Sequence, residues 1–498
     1  MSSQASSALL ADALPTTAGS PSETSSPSAR PDRPLLVRDA GFWTAVLTLC
    51  NAALGAGLLS LPYAVASAGL LVGSLSTCIL ICASFASLCV IMGLMAQAGP
   101  SVTSFGGLMR WGCGPAASNV VDGLVFVNSC GACVGYLVLL GDVVPPIVLD
   151  AVPAAKKMDA GQLRAAAASV ASLPCLLLSM LRHISALRFT AGVAVFACFF
   201  TAGLLTAQAI QHPCRPGDCY DGAGRNGWCT AAQAANASSA AACYADRPTA
   251  GVSLWPESVS GLLRAFPLLM NAMQCHIQAS FVFAEMRPAL RESRPRTAIA
   301  ASAVSLLAFF YLTVGAVGFL RFGAQTQGDC LQNFSPTDAS AGIARVAVAL
   351  TALSAFPMQH FPARGILHRL WRILVGRAVS TRPPTAHPAG MSTLFLLLEP
   401  VGWVGVTLPL ALVLGSDLSF VFELSGALVV NGVVFLVPAA LLLALRRSRH
   451  LAVAFLLLGA SLTVSGTFIS IDEKIRAARA EVTDLAARGG ARGYVYAE

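Results

Sequence analysis

The chain has 498 residues, of which 55% are apolar and only 11% are charged, and its mean hydropathy is +0.69. Soluble domains carry about 25% charged residues, so this chain has too little charge to cover a water-facing surface, and a lipid-embedded protein is implied. The formal net charge of +8 does not indicate nucleic-acid binding, because Lys and Arg are confined to short segments between apolar blocks and form no continuous basic face.

Residues 1–40 are rich in Ser, Pro and Thr and lack the basic start and long apolar run of a secretory signal. Such a composition predicts a disordered cytosolic tail, with the first spanning helix acting as an uncleaved insertion signal. A helix that crosses a hydrocarbon core of about 30 Å needs about 20 mostly apolar residues. Eleven blocks meet that requirement, near 42–67, 70–96, 117–144, 165–182, 186–210, 257–286, 297–321, 341–362, 393–415, 418–445 and 450–471. One such block could be a buried helix of a soluble protein; eleven in series predict an all-α integral membrane domain over 41–471, followed by a C-terminal tail, 472–498.

Charge predicts the orientation. Arg287, Arg291, Arg294 and Arg296 follow the sixth block, Arg364, Arg369, Arg372, Arg377 and Arg382 the eighth, and Arg446, Arg447 and Arg449 the tenth. The positive-inside rule places these loops and the N-terminal tail in the cytosol, with Lys156, Lys157 and Arg164 dissenting on the opposite side. The loop 211–256 then faces away from the cytosol. It holds Cys214, Cys219, Cys229 and Cys243, a pattern that suggests two disulfides in any of three pairings. A metal site at His212, Cys214 and Cys219 lacks a zinc pattern. Asn236 opens a glycosylation sequon in the same loop, and Asn333 opens another that Pro336 weakens. Cys130 and Cys133 lie inside the third block, where packing is the expected role.

The stretch from Cys50 to Ala64 carries the most chemistry. Gly55 and Gly57 weaken the first block at mid-depth, and Pro62 removes a further backbone bond. Backbone groups freed in lipid cost several kcal/mol unless satisfied, so irregular backbone at that depth belongs beside a polar cavity. There, half-helix N-termini attract a carboxylate and unwound carbonyls attract a cation. Close helix packing through small residues explains the same spacing. The sixth block repeats the anomaly: Asn271, Gln274, His276 and Gln278 crowd its middle behind Pro267, where intramembrane polar groups face a cavity or one another. Breaks in the first and sixth blocks, five spans apart, suggest two inverted five-helix repeats with the substrate between them.

These residues resemble a family. The run from Asn51 to Ala64 is similar to the first-helix motif of amino acid/auxin permeases, particularly the sodium-coupled neutral amino acid transporter branch. Pro267, Cys275-His276 and Glu285 resemble its sixth helix, Pro357 to Arg364 the end of its eighth, and Tyr136, Asp142 and Pro145 its third. The resemblance runs from about Gly41 to Ile471. It implies eleven helices in a leucine-transporter-like five-plus-five inverted repeat with helices 1 and 6 broken, and secondary transport of small neutral amino acids by alternating access.

Carried over, the resemblance places Asn51 at a sodium site and sets the backbone of Ala53, Leu54, Gly55, Ala56, Gly57 and Leu58 against the substrate's amino and carboxylate groups. The resemblance puts Cys275 and His276 at the sixth-helix break, and Asn271 and Gln274, from the polar middle of that block, join them as substrate-binding candidates. The eighth helix departs from the pattern: the expected sodium-binding hydroxyl falls on Ala355, with Ser354 one residue earlier and Thr351 a turn away. Sodium and proton coupling therefore both stand. Asp122 is the coupling candidate for a proton, against a helix-dipole role at the start of its helix; Glu399, Glu423 and His276 are also titratable, and none stands out. Glu285 and Arg345 match family positions as gate or structural ion-pair residues. No GxxxxGK[ST] loop is present, so no built-in ATPase is expected, and no outer loop is long enough for a catalytic domain. No cofactor other than a sodium ion is expected. The competing reading is an amino-acid sensor that signals from a transporter fold. Plasma and vacuolar or lysosomal membranes fit equally, and the sequence is silent on oligomeric state.

Overall fold

The computed structural model describes residues 40–54, 56–148, 158–181, 188–211, 252–323, 326–334, 338–374, 393–415 and 418–492. Gly55, Cys214, Cys219, Cys229, Cys243 and Asn236 lie outside these residues. Among the described residues the regular structure is helical, and the sole β-bridge joins Ala40 to Met286. Nine of these helices are long and apolar enough to cross a membrane, and a bent pair makes a tenth span if counted as one. This is a multi-pass membrane protein.

The bent pair is the predicted first block. Helix α1 (Phe42–Ala53) gives way to a 3-10 turn, Ala56–Ser60, and then α2 (Leu61–Ala68). Gly69, at φ +77, turns the chain into α3 (Leu70–Ala98); an added Cβ there would sit 2.4 Å from the Trp255 carbonyl carbon. The amides of Leu70 and Leu71 donate to the carbonyls of Ser253 and Leu254, at 2.9 and 3.1 Å, and fix this corner to the segment entering the sixth block. The short α4 (Phe105–Cys113) was not expected. It is N-capped by Ser104, which accepts from the Gly107 amide at 3.1 Å, and nine residues are too few to span a bilayer. The third, fourth and fifth blocks are α5 (Pro115–Val148), α6 (Ala160–Ser179) and α7 (Arg188–Gln211).

The sixth block divides into α8 (Val259–Ala272) and α9 (His276–Glu285), parted at Met273–Cys275; neither half alone is long enough to span. The next spans are α10 (Ser293–Phe322), α11 (Ala339–Leu374) and α12 (Thr393–Leu414). Helix α11 continues through Pro357 and Pro362 beyond the predicted end at 362. The tenth block is one span with two wider stretches: α13 (Leu418–Ser425) leads through π turns at Gly426–Val430 and Gly432–Leu436 into α14 (Val437–Ala444). The Pro267 carbonyl of α8 lies so close to Gly426 that no Cβ would fit between them. Such π turns occur where a neighbour disturbs the helical ladder. Helix α15 (Arg449–Arg492) runs on past the predicted end at 471, where Arg476 pairs with Asp472 at 2.8 Å one turn away.

Helix α11 packs along α5, α6 and α7, and α10 packs against α2, α3 and α1, so the broken segments lie inside the bundle. The cysteines among the described residues are all free, Cys130 and Cys133 included. Asn333 is 1% exposed and its Oδ1 accepts from the Gln327 amide at 2.9 Å, so the second sequon is not presented for glycosylation in this fold.

Candidate functional site

The two halves of the first span are bent by 56°. Its helical ladder ends near Ala53, and among the described residues three contacts reach backbone groups around the break. The Leu54 amide donates to Cys50 O at 2.7 Å, the Ser60 hydroxyl donates to Gly57 O at 3.0 Å, and the Gln359 side-chain amide of α11 donates to Ala52 O at 3.4 Å. The second broken span ends its first half in a tight turn, with the Met273 amide shared between Leu269 O and Met270 O at 3.2 and 3.1 Å. Tyr311 of α10, fully buried, donates its hydroxyl to Ala272 O.

The breaks meet. A Cβ added to Gly57 would lie 3.2 Å from the Ala272 Cα, so the backbone of one break runs against the last residue before the other. Around this contact stands a polar cluster from four spans. Gln278 of α9 donates through Nε2 to Gln359 Oε1 at 2.8 Å, and Gln359 also engages the Tyr136 hydroxyl of α5. Gln278 Oε1 and Gln274 Nε2 are buried without a partner. Buried amide atoms left unpaired cost about 1–3 kcal/mol each, an arrangement expected where a ligand completes the set. A cavity of about 20 Å³ adjoins the break, lined by Leu54, Leu58 and Leu59 with residues of α5, α7 and α11, among them Thr201 and Thr351.

The expected cation ligands fall on one side of this cluster. Asn51 is 1% exposed; its Nδ2 contacts Met358 Sδ at 2.9 Å and its Oδ1 has no partner. Ser354 stands one helical turn from Met358 on α11. The hydroxyls of Ser354 and Thr351 donate to Thr351 O and Ala347 O, at 2.8 and 2.9 Å, which leaves their oxygens free to accept a cation. Ala355 is 2% exposed and adds no oxygen. The orphaned Asn51 carboxamide oxygen suits a hard cation; Ser354 and Thr351 lie about one and two turns before Met358, the Asn51 contact on α11.

Other predicted residues take different places. His276 is fully buried, but its Nε2 lies 3.2 Å from Ser84 O of α3, so it anchors the start of α9 to a neighbouring helix. Cys275 is 1% exposed at the break, whereas Asn271 is only half-buried. Asp122 pairs with Arg369 of α11 at 2.6 Å. Glu285 and Arg345 do not pair: the Glu285 carbonyl receives the Ala40 amide at 3.2 Å, while Arg345, beyond the far end of α10, donates to Leu331 O and Phe334 O at 3.1 and 2.9 Å. Sequence reasoning passed over Gln359. Its signal was present: an uncharged amide inside an apolar span, in the stretch already matched to the eighth-helix motif.

Comparison with known proteins identifies the family. The model of the family described as transmembrane amino acid transporter protein matches residues 38–471. The chain is similar to solute carrier family 38 member 8 of Homo sapiens, with 27% identity over 77% of this chain and 80% of that protein. It is similar to sodium-coupled neutral amino acid transporter 7 of Danio rerio, with 23% identity over 82% of this chain and 79% of that protein. Vacuolar amino acid transporter 5 of Schizosaccharomyces pombe is 27% identical over 81% of this chain and 84% of its own length. With a match that takes in both breaks and the α11 cluster between them, the chain belongs to the transmembrane amino acid transporter family.

Proposed function

We propose that the protein is a secondary active transporter of small neutral amino acids, and that its substrate lies where the two broken spans meet. The observation that carries this reading is the approach of Gly57 to Ala272, with Gln359 donating to the freed Ala52 carbonyl, Gln278 donating to Gln359, and amide atoms of Gln278 and Gln274 left over. The amides opening α9 suit a carboxylate, and the carbonyls around the α1 break suit an ammonium group. The substrate class follows the names of two relatives, one sodium-coupled for neutral amino acids and one a vacuolar amino acid transporter.

The architecture in this reading has eleven spans: the nine long helices, the bent first span, and α8 with α9 as the broken sixth. Spans one to five and six to ten form inverted repeats that rock around the site, which gives alternating access. Ligands drive that motion only through differential binding to the two states. The Arg-rich ends face the cytosol, as does the tail before residue 40, and the loop 211–256 with its cysteines and Asn236 faces the opposite compartment. A sodium ion, where one is bound, would be held by Asn51 Oδ1 with Ser354 or Thr351, and would supply positive charge beside the substrate carboxylate. The thinner oxygen set on α11 leaves room for a proton as the driving ion.

Uptake into proteoliposomes across a panel of amino acids, under separately imposed sodium and proton gradients, tests the reading. Saturable uptake of small neutral amino acids is expected. Binding without uptake or exchange under every gradient would defeat it in favour of a sensor.

A further inference from the structure

Next to Gln359 on α11 lies a buried charge cluster that the substrate site does not use. His360 is 0% exposed, and its Nε2 lies 2.5 Å from Glu399 Oε1 of α12. Arg364, 2% exposed and one turn along α11, reaches Glu399 Oε2 at 3.3 Å. Its other nitrogens donate to Leu181 O, at 3.0 Å, and to Ser179 O, the carbonyls that end α6. The His360 ring is stacked on Trp403, with centroids 5.1 Å apart, and its Nδ1 has no partner.

The charges in this cluster leave one place open. Arg364 is held by three acceptors and stays a cation; Glu399 balances it. The imidazole, with its Nδ1 unpartnered, is placed to take up a proton, and the carboxylate 2.5 Å away would meet the resulting imidazolium in a charge-assisted hydrogen bond. Among the described residues, Glu399 and Arg364 are the charged groups that act on His360. Helix α5 brings Cys133 with Cys130, and α6 brings Cys175. Helices α1 and α7 bring only Cys50 and Cys198 among described side chains. Asp122 of α5 is already engaged by Arg369, further along α11.

Resting on the transporter reading above, we propose that His360 and Glu399 form the proton-binding site that couples a pH gradient to amino acid movement. The route to the substrate is short. Met358, Gln359 and His360 are consecutive, so their side chains leave α11 about 100° apart. Met358 meets Asn51 of α1, Gln359 meets the Ala52 carbonyl and Gln278, and His360 meets Glu399. A proton at His360 tightens α11 against α12 and competes with Arg364 for the carboxylate. The same turn of helix holds the backbone at the break, so occupancy of the proton site biases which way that turn sits.

The test uses full-length protein in liposomes with His360→Gln, which keeps a hydrogen-bonding side chain but does not titrate. In the unaltered protein, a gradient of one pH unit should support about tenfold accumulation per proton carried. The variant should lose that accumulation while retaining amino acid counterflow, which needs no gradient. Accumulation by the variant equal to that of the unaltered protein would overturn the proposal. So would unaltered protein that exchanges amino acids but ignores a pH gradient, a result that leaves the transporter reading standing; absence of counterflow in the unaltered protein would instead sink that reading. A second readout needs no transport. Protonated imidazole quenches a nearby indole, so the Trp403 component of fluorescence, isolated by difference against Trp403→Phe, should change with pH as His360 takes up its proton. It should be flat in His360→Gln. If that variant neither folds nor exchanges, the titration of the unaltered protein decides, and a flat profile overturns the assignment.

Discussion

Gly57 and Gln359 make the sharpest demands on single side chains. With the Ala272 Cα 3.2 Å from where a Cβ would stand, Gly57→Ala requires a small shift and Gly57→Val a separation of the two breaks. Overpacking of this kind costs about 1–3 kcal/mol, so Gly57→Val should lower uptake tenfold or more, about 1.4 kcal/mol, with membrane insertion unchanged. Uptake normalised to the amount of protein in the membrane measures it. Gly55→Val, at the glycine that the sequence marks as weakening the first block, is expected to abolish uptake with membrane insertion intact. Gln359→Leu strips partners from the Ala52 carbonyl and from Gln278. At about 1–3 kcal/mol for a buried group left unpaired, it should lower the thermal midpoint of the purified protein as well as uptake. A variant with normal stability and normal transport would show that this amide is idle.

Among the elements, the spans and both breaks were legible because apolar length, Gly, Pro and misplaced amides are local signals. What the sequence hid arises between distant segments. The π turns after Ser425 answer to Pro267 of α8, and nothing near Gly426 in the chain announces that neighbour. Helix α4 escaped because nine residues match no spanning length. The roles of Asp122 and Glu399 depended on Arg369 and His360, partners on another helix. His276 looked like a site residue because it sits among amides, yet its ring turns to the Ser84 carbonyl. Arg364 joins three elements at once, binding Glu399 of α12 and the last carbonyls of α6. Removing one partner of a buried ion pair costs about 3–5 kcal/mol, so Arg364→Leu should leave little folded protein after detergent extraction. Size-exclusion chromatography would detect that loss, and a monodisperse variant of unchanged thermal stability would contradict it.

Across the whole molecule, ion pairs and buried carboxyls gather at the end of the bundle remote from Ala40. Arg264 of α8 meets Glu423 of α13 at 2.6 Å and stands over the Tyr63 ring, 5.1 Å from its centroid. The buried segment 326–334 sits nearby, with Asp329 accepting from the Leu331 amide at 2.9 Å. Burial raises the Asp329 carboxyl from 3.8 to about 6, against the lowering effects of the Leu331 amide and Arg345. A carboxyl raised on folding is best tolerated when protonated. Its contribution is whole below the unfolded value of 3.8 and is lost as pH rises through about 6. Hydrogen exchange across 326–334, corrected for its intrinsic pH dependence, should therefore be faster at neutral pH than near pH 5. Asp329→Asn should remove the difference. Because Ala355 supplies no hydroxyl, uptake should also depend on sodium less steeply than Asn51 alone suggests; uptake that tracks sodium occupancy and ignores external pH would contradict that.

The bridge between Ala40 and Met286 bears on how the protein is made. The Ala40 amide and carbonyl bond Glu285 O and the Arg287 amide, and Gly57 is seated only once Ala272 is beside it. The first span therefore lacks its neighbour at Gly57 until α8 and α9 are inserted, and the Ala52 carbonyl and Asn51 lack theirs until α11 follows. Chains halted before residue 286 should consequently be held by the insertion machinery or by membrane chaperones and then degraded, whereas chains halted after α11 should escape that fate more often.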